Sequence, residues 1–175
     1  AGLSCCNDKI HTESPPRRRP AGLQHIFDTL HNLEPAGETG LVEALHTIAE
    51  KVGQRALVVV VSDLFTDTDE LADALQHLRF RKHDVAVFHL MDPEEIAFDF
   101  RRPYRFVDLE DNTAIVAEPH LIFDEYQKAL SDFFREVETA CHDVHADYHL
   151  VTTDSDYEEI LREFLTARLP KKGKS

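Results

Sequence analysis

Apolar residues fall along this chain in two rhythms: short β-branched runs, and longer stripes spaced by threes and fours. The densest run is Ala56–Asp67, ALVVVVSDLFTD, where a leucine and four valines lead into Ser62-Asp63. Such a run predicts a strand buried on both faces, as in a helix-covered parallel sheet. Val85–Leu90 (VAVFHL) predicts a second strand, closed by Met91-Asp92-Pro93, and Tyr148–Thr152 a short final one. Between them run the stripes. Leu23, Ile26, Phe27, Leu30 and Leu33 predict a helix broken at Pro35-Ala36-Gly37, and Leu41, Leu45, Ile48 and Val52 predict another stopped by Gly53. Asp67 and Glu70 have capping-box spacing ahead of Leu71, Ala74, Leu75 and Leu78, so a helix is expected over 68–82. Pro119 opens the longest stripe, Ile122, Tyr126, Ala129, Phe133, Val137, Ala140 and Val144, a helix to about His145. Ser155-x-x-Glu158 is expected to cap a last helix that presents Ile160, Leu161, Phe164 and Leu165.

Two shorter patterns predict hairpins. Leu3–Cys6 and Lys9–Ser14 flank Asn7-Asp8, and Arg105–Leu109 and Thr113–Ala117 flank Glu110-Asp111-Asn112. Strands alternating with helices give an α/β fold of three layers, a mainly parallel sheet flanked by helices. No internal repeat interrupts it. Residues 1–170 are expected to form one domain, with a basic tail over 171–175.

Composition narrows the function classes. The formal net charge is −14, which argues against a nucleic-acid binder, because phosphate contacts need a basic face. It suits a cation or a basic partner, or serves solubility alone. The apolar runs are far shorter than the roughly 20 residues that span a bilayer, so no membrane-spanning segment is expected. Cys5, Cys6 and Cys141 make no metal-spaced or paired framework, which fits reduced thiols in a cytoplasmic protein.

Candidate chemistry centres on Asp63. An aspartate just past a buried strand lies at the carboxyl edge of the sheet, where open α/β folds place ligands; the plain alternative is a loop or capping carboxylate. Thr39, after Gly37-Glu38 at a helix start, is either an N-cap hydroxyl or a ligand presented there. Asp67 and Asp69 do not continue into a calcium loop: counting from Asp67, the required glycine and final acid fall on Ala72 and Leu78. The 11 histidines include no zinc-helix motif with its catalytic glutamate; His142 and His145, or His145 with Asp147 or His149, are chelation candidates, but no third ligand is obvious, so surface or boundary histidines are expected there. No nucleophile elbow, phosphate-cradling glycine loop or dinucleotide fingerprint occurs.

Taken together, Leu3–Ile10, Leu33-Glu34-Pro35-Ala36-Gly37-Glu38-Thr39, Leu57–Asp67 and His83–Pro93 resemble the von Willebrand factor A-like domain of the bacterial "domain of unknown function 58" family. Tyr148–Ser155 resembles its closing portion. The resemblance implies a metal-ion-dependent adhesion site on the carboxyl edge of the sheet, in which Mg2+ is held by an Asp-x-Ser-x-Ser loop, a threonine and an aspartate. Thr39 matches that threonine and Asp63 that aspartate. No Asp-x-Ser-x-Ser occurs in this sequence. The resemblance places that loop upstream of Ala1, together with the first, central strand and the first helix. The sheet is therefore expected to lack its central strand, with a gap or a contact between Leu3 and Val61, apolar surface exposed, and magnesium bound weakly or not at all.

By the same resemblance the chain is expected to be a protein-binding module rather than an enzyme. Its binding would be cation-dependent in the intact form, and its implied partner is a MoxR-type AAA+ ATPase acting in assembly or maturation. The rival readings are a magnesium-dependent phosphoryl-transfer enzyme using Asp63 and a degenerate structural domain without metal. The first lacks a suitable lysine at a strand end, because Lys51 and Lys82 fall in helices or their exits.

Overall fold

The computed structural model describes residues 1–7, 10–33, 40–100, 102–107 and 113–169. The basic tail 171–175, Thr39 and the turn Glu110-Asp111-Asn112 lie outside them. In chain order the elements are β1 (Leu3–Cys6), β2 (Ile10–Ser14), α1 (Pro20–His31), α2 (Leu41–Lys51), β3 (Leu57–Ser62), α3 (Thr68–Phe80), β4 (Asp84–Met91), α4 (Pro93–Ala97), β5 (Tyr104–Val107), β6 (Ala114–Ala117), α5 (Pro119–Asp143), β7 (Asp147–Thr152) and α6 (Tyr157–Ala167). The main sheet is parallel, ordered β3-β4-β7, while β1-β2 and β5-β6 form separate antiparallel hairpins.

Register divides the main sheet into two faces. Val58 pairs with Val85 and Val60 with Val87, and these residues point toward the larger core. There they meet Leu45 and Ala49 of α2, Leu71, Leu75 and Leu78 of α3, and Val137 and Cys141 of α5. On the opposite face, Phe164 of α6 packs over Ala86 and Phe88. Helices on both faces make the expected three layers. Strand β4 is central and buried almost throughout, which accounts for its unbroken apolar pattern.

Strand β3 departs from that pattern. Leu57, Val59 and Val61 are 45%, 46% and 61% exposed, whereas Val60 is 6% exposed. No strand among the described residues pairs with its outer edge, and β1 pairs only with β2. The expected gap is present, and the alternative Leu3–Val61 pairing is not. The valine run is therefore buried on one face instead of both. Its composition registered apolarity correctly, but α6 covers the second face at β4 and not at β3.

Helix starts show how local chemistry sets the boundaries. Asp67 accepts the Asp69 and Glu70 N–H groups at 3.0 Å, capping α3. The reciprocal capping box occurs at α4, between Asp92 and Glu95. At α6 the cap is Asp156, which accepts from Glu158 N–H at 2.9 Å, while the Ser155 hydroxyl bonds to Thr152. The expected Ser155 cap is thus displaced by one residue, because the stronger carboxylate acceptor follows it.

Candidate functional site at the carboxyl edge

The carboxyl ends of β3, β4 and β7 present Ser62-Asp63, His89 to Asp92, and Thr152-Thr153. Asp63 is exposed at the end of β3, as its sequence position implies. Its Oδ1 accepts the Phe65 N–H at 3.1 Å, and the Ser62 hydroxyl oxygen accepts the Leu64 N–H at 3.1 Å. These two bonds fold the chain into a tight turn with Leu64 in the left-handed region at φ 56. Such a conformation costs a leucine about 1–2 kcal/mol. Complete burial of the Leu64 side chain in the core holds it there. The turn projects Phe65 into solvent, 88% exposed, beyond the uncovered Val59 and Val61.

The neighbouring strand end carries a residue that the sequence pattern concealed. His89 is fully buried, paired in register with Ser62, and edged by Phe133 and Phe134 of α5. Its Nδ1 lies 2.9 Å from the Tyr148 hydroxyl, and its Nε2 has no hydrogen-bond partner. Burial holds this imidazole below its ordinary pKa, opposed in part by the Asp63 carbonyl and carboxylate. The Tyr148 phenol, desolvated beside Cys141 and Glu138, is pushed up to about 12, so it keeps its proton. A second fully buried histidine, His83, lies just before β4 and accepts the Ala56 N–H at Nδ1 over 3.2 Å. His83 and His89 are not among the histidines singled out from the sequence. A polar residue within VAVFHL was the signal available for His89.

The other acidic side chains nearby have structural roles. Asp67 and Asp156 cap helices, and Asp92 caps α4 while its Oδ2 accepts from the Thr153 hydroxyl at 3.3 Å. Asp147 is paired with Arg168. The Phe88 ring stacks on His149, with centroids 5.0 Å apart. Burial raises all three thiols, Cys141 to about 11, so none is a ready thiolate nucleophile at neutral pH.

Mg2+ demands near-octahedral oxygen coordination. Ser62 and Asp63 supply one corner of such a shell, and Ser62 Oγ and Asp63 Oδ1 already accept backbone N–H groups. No group of three or more His, Cys, Asp and Glu among the described residues is arranged to hold a metal ion. The described residues therefore do not fit magnesium. A calorimetric Mg2+ titration of this chain should show no stoichiometric micromolar binding, and such binding, lost in Asp63→Ala, would contradict this reading.

The family model described as "Protein of unknown function DUF58" matches residues 1–133. A solved structure, the crystal structure of conserved hypothetical protein BatB from Bacteroides thetaiotaomicron, is similar at 11% identity and a TM-score of 0.47. That match covers 82% of this chain and 68% of the other. No curated protein matches the chain. Among the described residues no helix is long and apolar enough to cross a membrane.

Proposed function

The chain belongs to the DUF58 family, a family of unknown function, and from that footing we propose that it is a non-catalytic protein-binding module whose docking surface is the carboxyl edge of the sheet around Asp63. The observation that carries this reading is the end of β3 itself, where Asp63 stands exposed and the chain turns on Leu64, whose side chain is anchored in the core.

The turn after β3 extends that surface. Phe65 adds an exposed aromatic ring, and Asp63 adds an exposed carboxylate whose Oδ2 makes no hydrogen bond among the described residues. The net charge of −14 favours a basic partner segment. A MoxR-type AAA+ ATPase is the partner implied by the resemblance, with assembly or maturation as the setting.

The test is biosensor binding of the full chain to the MoxR-type ATPase of the same organism. Wild type should bind, Asp63→Ala and Phe65→Ala should each weaken binding about tenfold or more by removing exposed groups of the docking surface, and a chelator should change nothing. Absence of binding, or equal binding by both variants, contradicts the proposal.

A further inference from the structure

Away from the sheet edge, α2 and α3 bring two histidines together. His46 Nδ1 and His77 Nδ1 face each other at 2.9 Å, with ring centroids 5.2 Å apart and planes tilted by 43°. The rings thus meet nitrogen to nitrogen instead of stacking. The Nε2 atom of His77 lies 2.9 Å from Glu50 Oε1. A carboxylate only accepts, so Glu50 fixes the proton of a neutral His77 on Nε2. That leaves the lone pair of His77 Nδ1 aimed at His46. His46 either donates its Nδ1 proton across the gap or carries that proton on Nε2. In the second tautomer two lone pairs converge on one point.

The surroundings favour a cation at that point. The cleft beside the pair has a volume of about 890 Å³ and is lined by Glu43, Glu50, Glu70 and Asp73, against Lys51 alone of opposite charge. Behind the histidines, Leu45, Ala49, Ala74 and Leu78 are almost fully buried and hold the two helices in place. We propose that His46 and His77 form a two-imidazole site for a divalent transition-metal ion of the zinc class, clipping α2 to α3. Imidazole nitrogen selects zinc, copper or nickel over magnesium and calcium. Glu50, bound to the far nitrogen of His77, is the orienting carboxylate that such ligands commonly carry.

The geometry accommodates the ion with little movement. With Zn–N of about 2.0–2.1 Å and a tetrahedral angle, two ligating imidazoles have centroids about 5.2 Å apart, which matches the separation present. The centroids stay in place while each ring turns by about 35° to aim Nδ1 at the ion, and the N···N distance opens to about 3.4 Å. No third His, Cys, Asp or Glu already converges on the point, so water completes the shell. The ion displaces a single hydrogen bond between the two rings.

The experiment is chelator-competition titration of the EDTA-stripped full chain with Zn2+ near neutral pH, paired with thermal melts in Zn2+ or Mg2+. One equivalent of Zn2+ should bind with micromolar affinity. His46→Gln and His77→Gln should each weaken it about tenfold or more, while His142→Gln, a side chain 84% exposed on α5, should leave it unchanged. Zn2+ should raise the wild-type Tm through preferential binding to the fold, and equal Mg2+ should not. Far-UV circular dichroism establishes that the variants are folded, and the wild-type melt depends on neither. A flat titration, uptake that survives both substitutions, or an unmoved wild-type Tm would show a shared proton only and overturn the proposal.

Discussion

Replacing Val60 with threonine should destabilise the chain by about 1–3 kcal/mol, while the same replacement at Val59 or Val61 should change stability by no more than about 0.5 kcal/mol. The three positions are consecutive, and valine and threonine are nearly isosteric, so strand propensity barely changes. Only the environment differs. Val60 is 6% exposed in the core between α2, α3 and α5, where a hydroxyl finds no ready partner. Val59 and Val61 are 46% and 61% exposed on the uncovered face, where water satisfies it. Urea denaturation of the three variants reads the difference directly. Comparable losses at all three positions would mean that β3 is buried on both faces.

The second large effect is acid sensitivity above the carboxylate range. His83 and His89 are fully buried, and burial lowers both pKa values, with Arg81 adding to the effect at His83. Asp84 at His83 and Asp63 at His89 oppose it in part. Above the unfolded histidine pKa of about 6.5, both states keep these rings neutral and the full stability is present. Below it the unfolded chain takes up protons that the fold refuses, so stability falls with falling pH until the lowered folded pKa is passed. Each ring contributes a slope of up to about 1.4 kcal/mol per pH unit within that window. Protonating His83 at Nδ1 also breaks the bond from the Ala56 N–H. The denaturation midpoint should therefore drop between pH 7 and 5, and His83→Gln with His89→Gln should flatten the dependence whatever it does to absolute stability. Asp84, held below its usual pKa chiefly by the Arg55 hydrogen bond, contributes only at lower pH. A midpoint constant from pH 7 to 5 would contradict the burial of the two imidazoles.

Much of the fold was legible because one periodicity decided each element. The stripe from Leu71 to Leu78 and the run VAVFHL became α3 and β4 within a residue or two of their expected ends. Asp63 stands at the strand edge where its place after a buried run put it. Other features depend on partners remote in sequence. A valine run reports that side chains are apolar, not which face a helix covers, so the exposure of Val59 and Val61 had no local signature. His46 and His77 lie 31 residues apart on different helices, and only the packing of α2 on α3 brings them together. The shift from Ser155 to Asp156 at α6 is a competition between neighbouring acceptors, which spacing alone does not resolve.

The unpaired outer edge of β3 within residues 1–175 is the central structural claim, and residue-resolved hydrogen exchange of this chain tests it most directly. In a parallel sheet, alternate residues of an edge strand direct both N–H and C=O away from their neighbour. Within Leu57–Ser62, every second amide should exchange rapidly while the others match the slow amides of β4. Uniformly slow exchange across all six residues would contradict the account, because the edge would then be paired already.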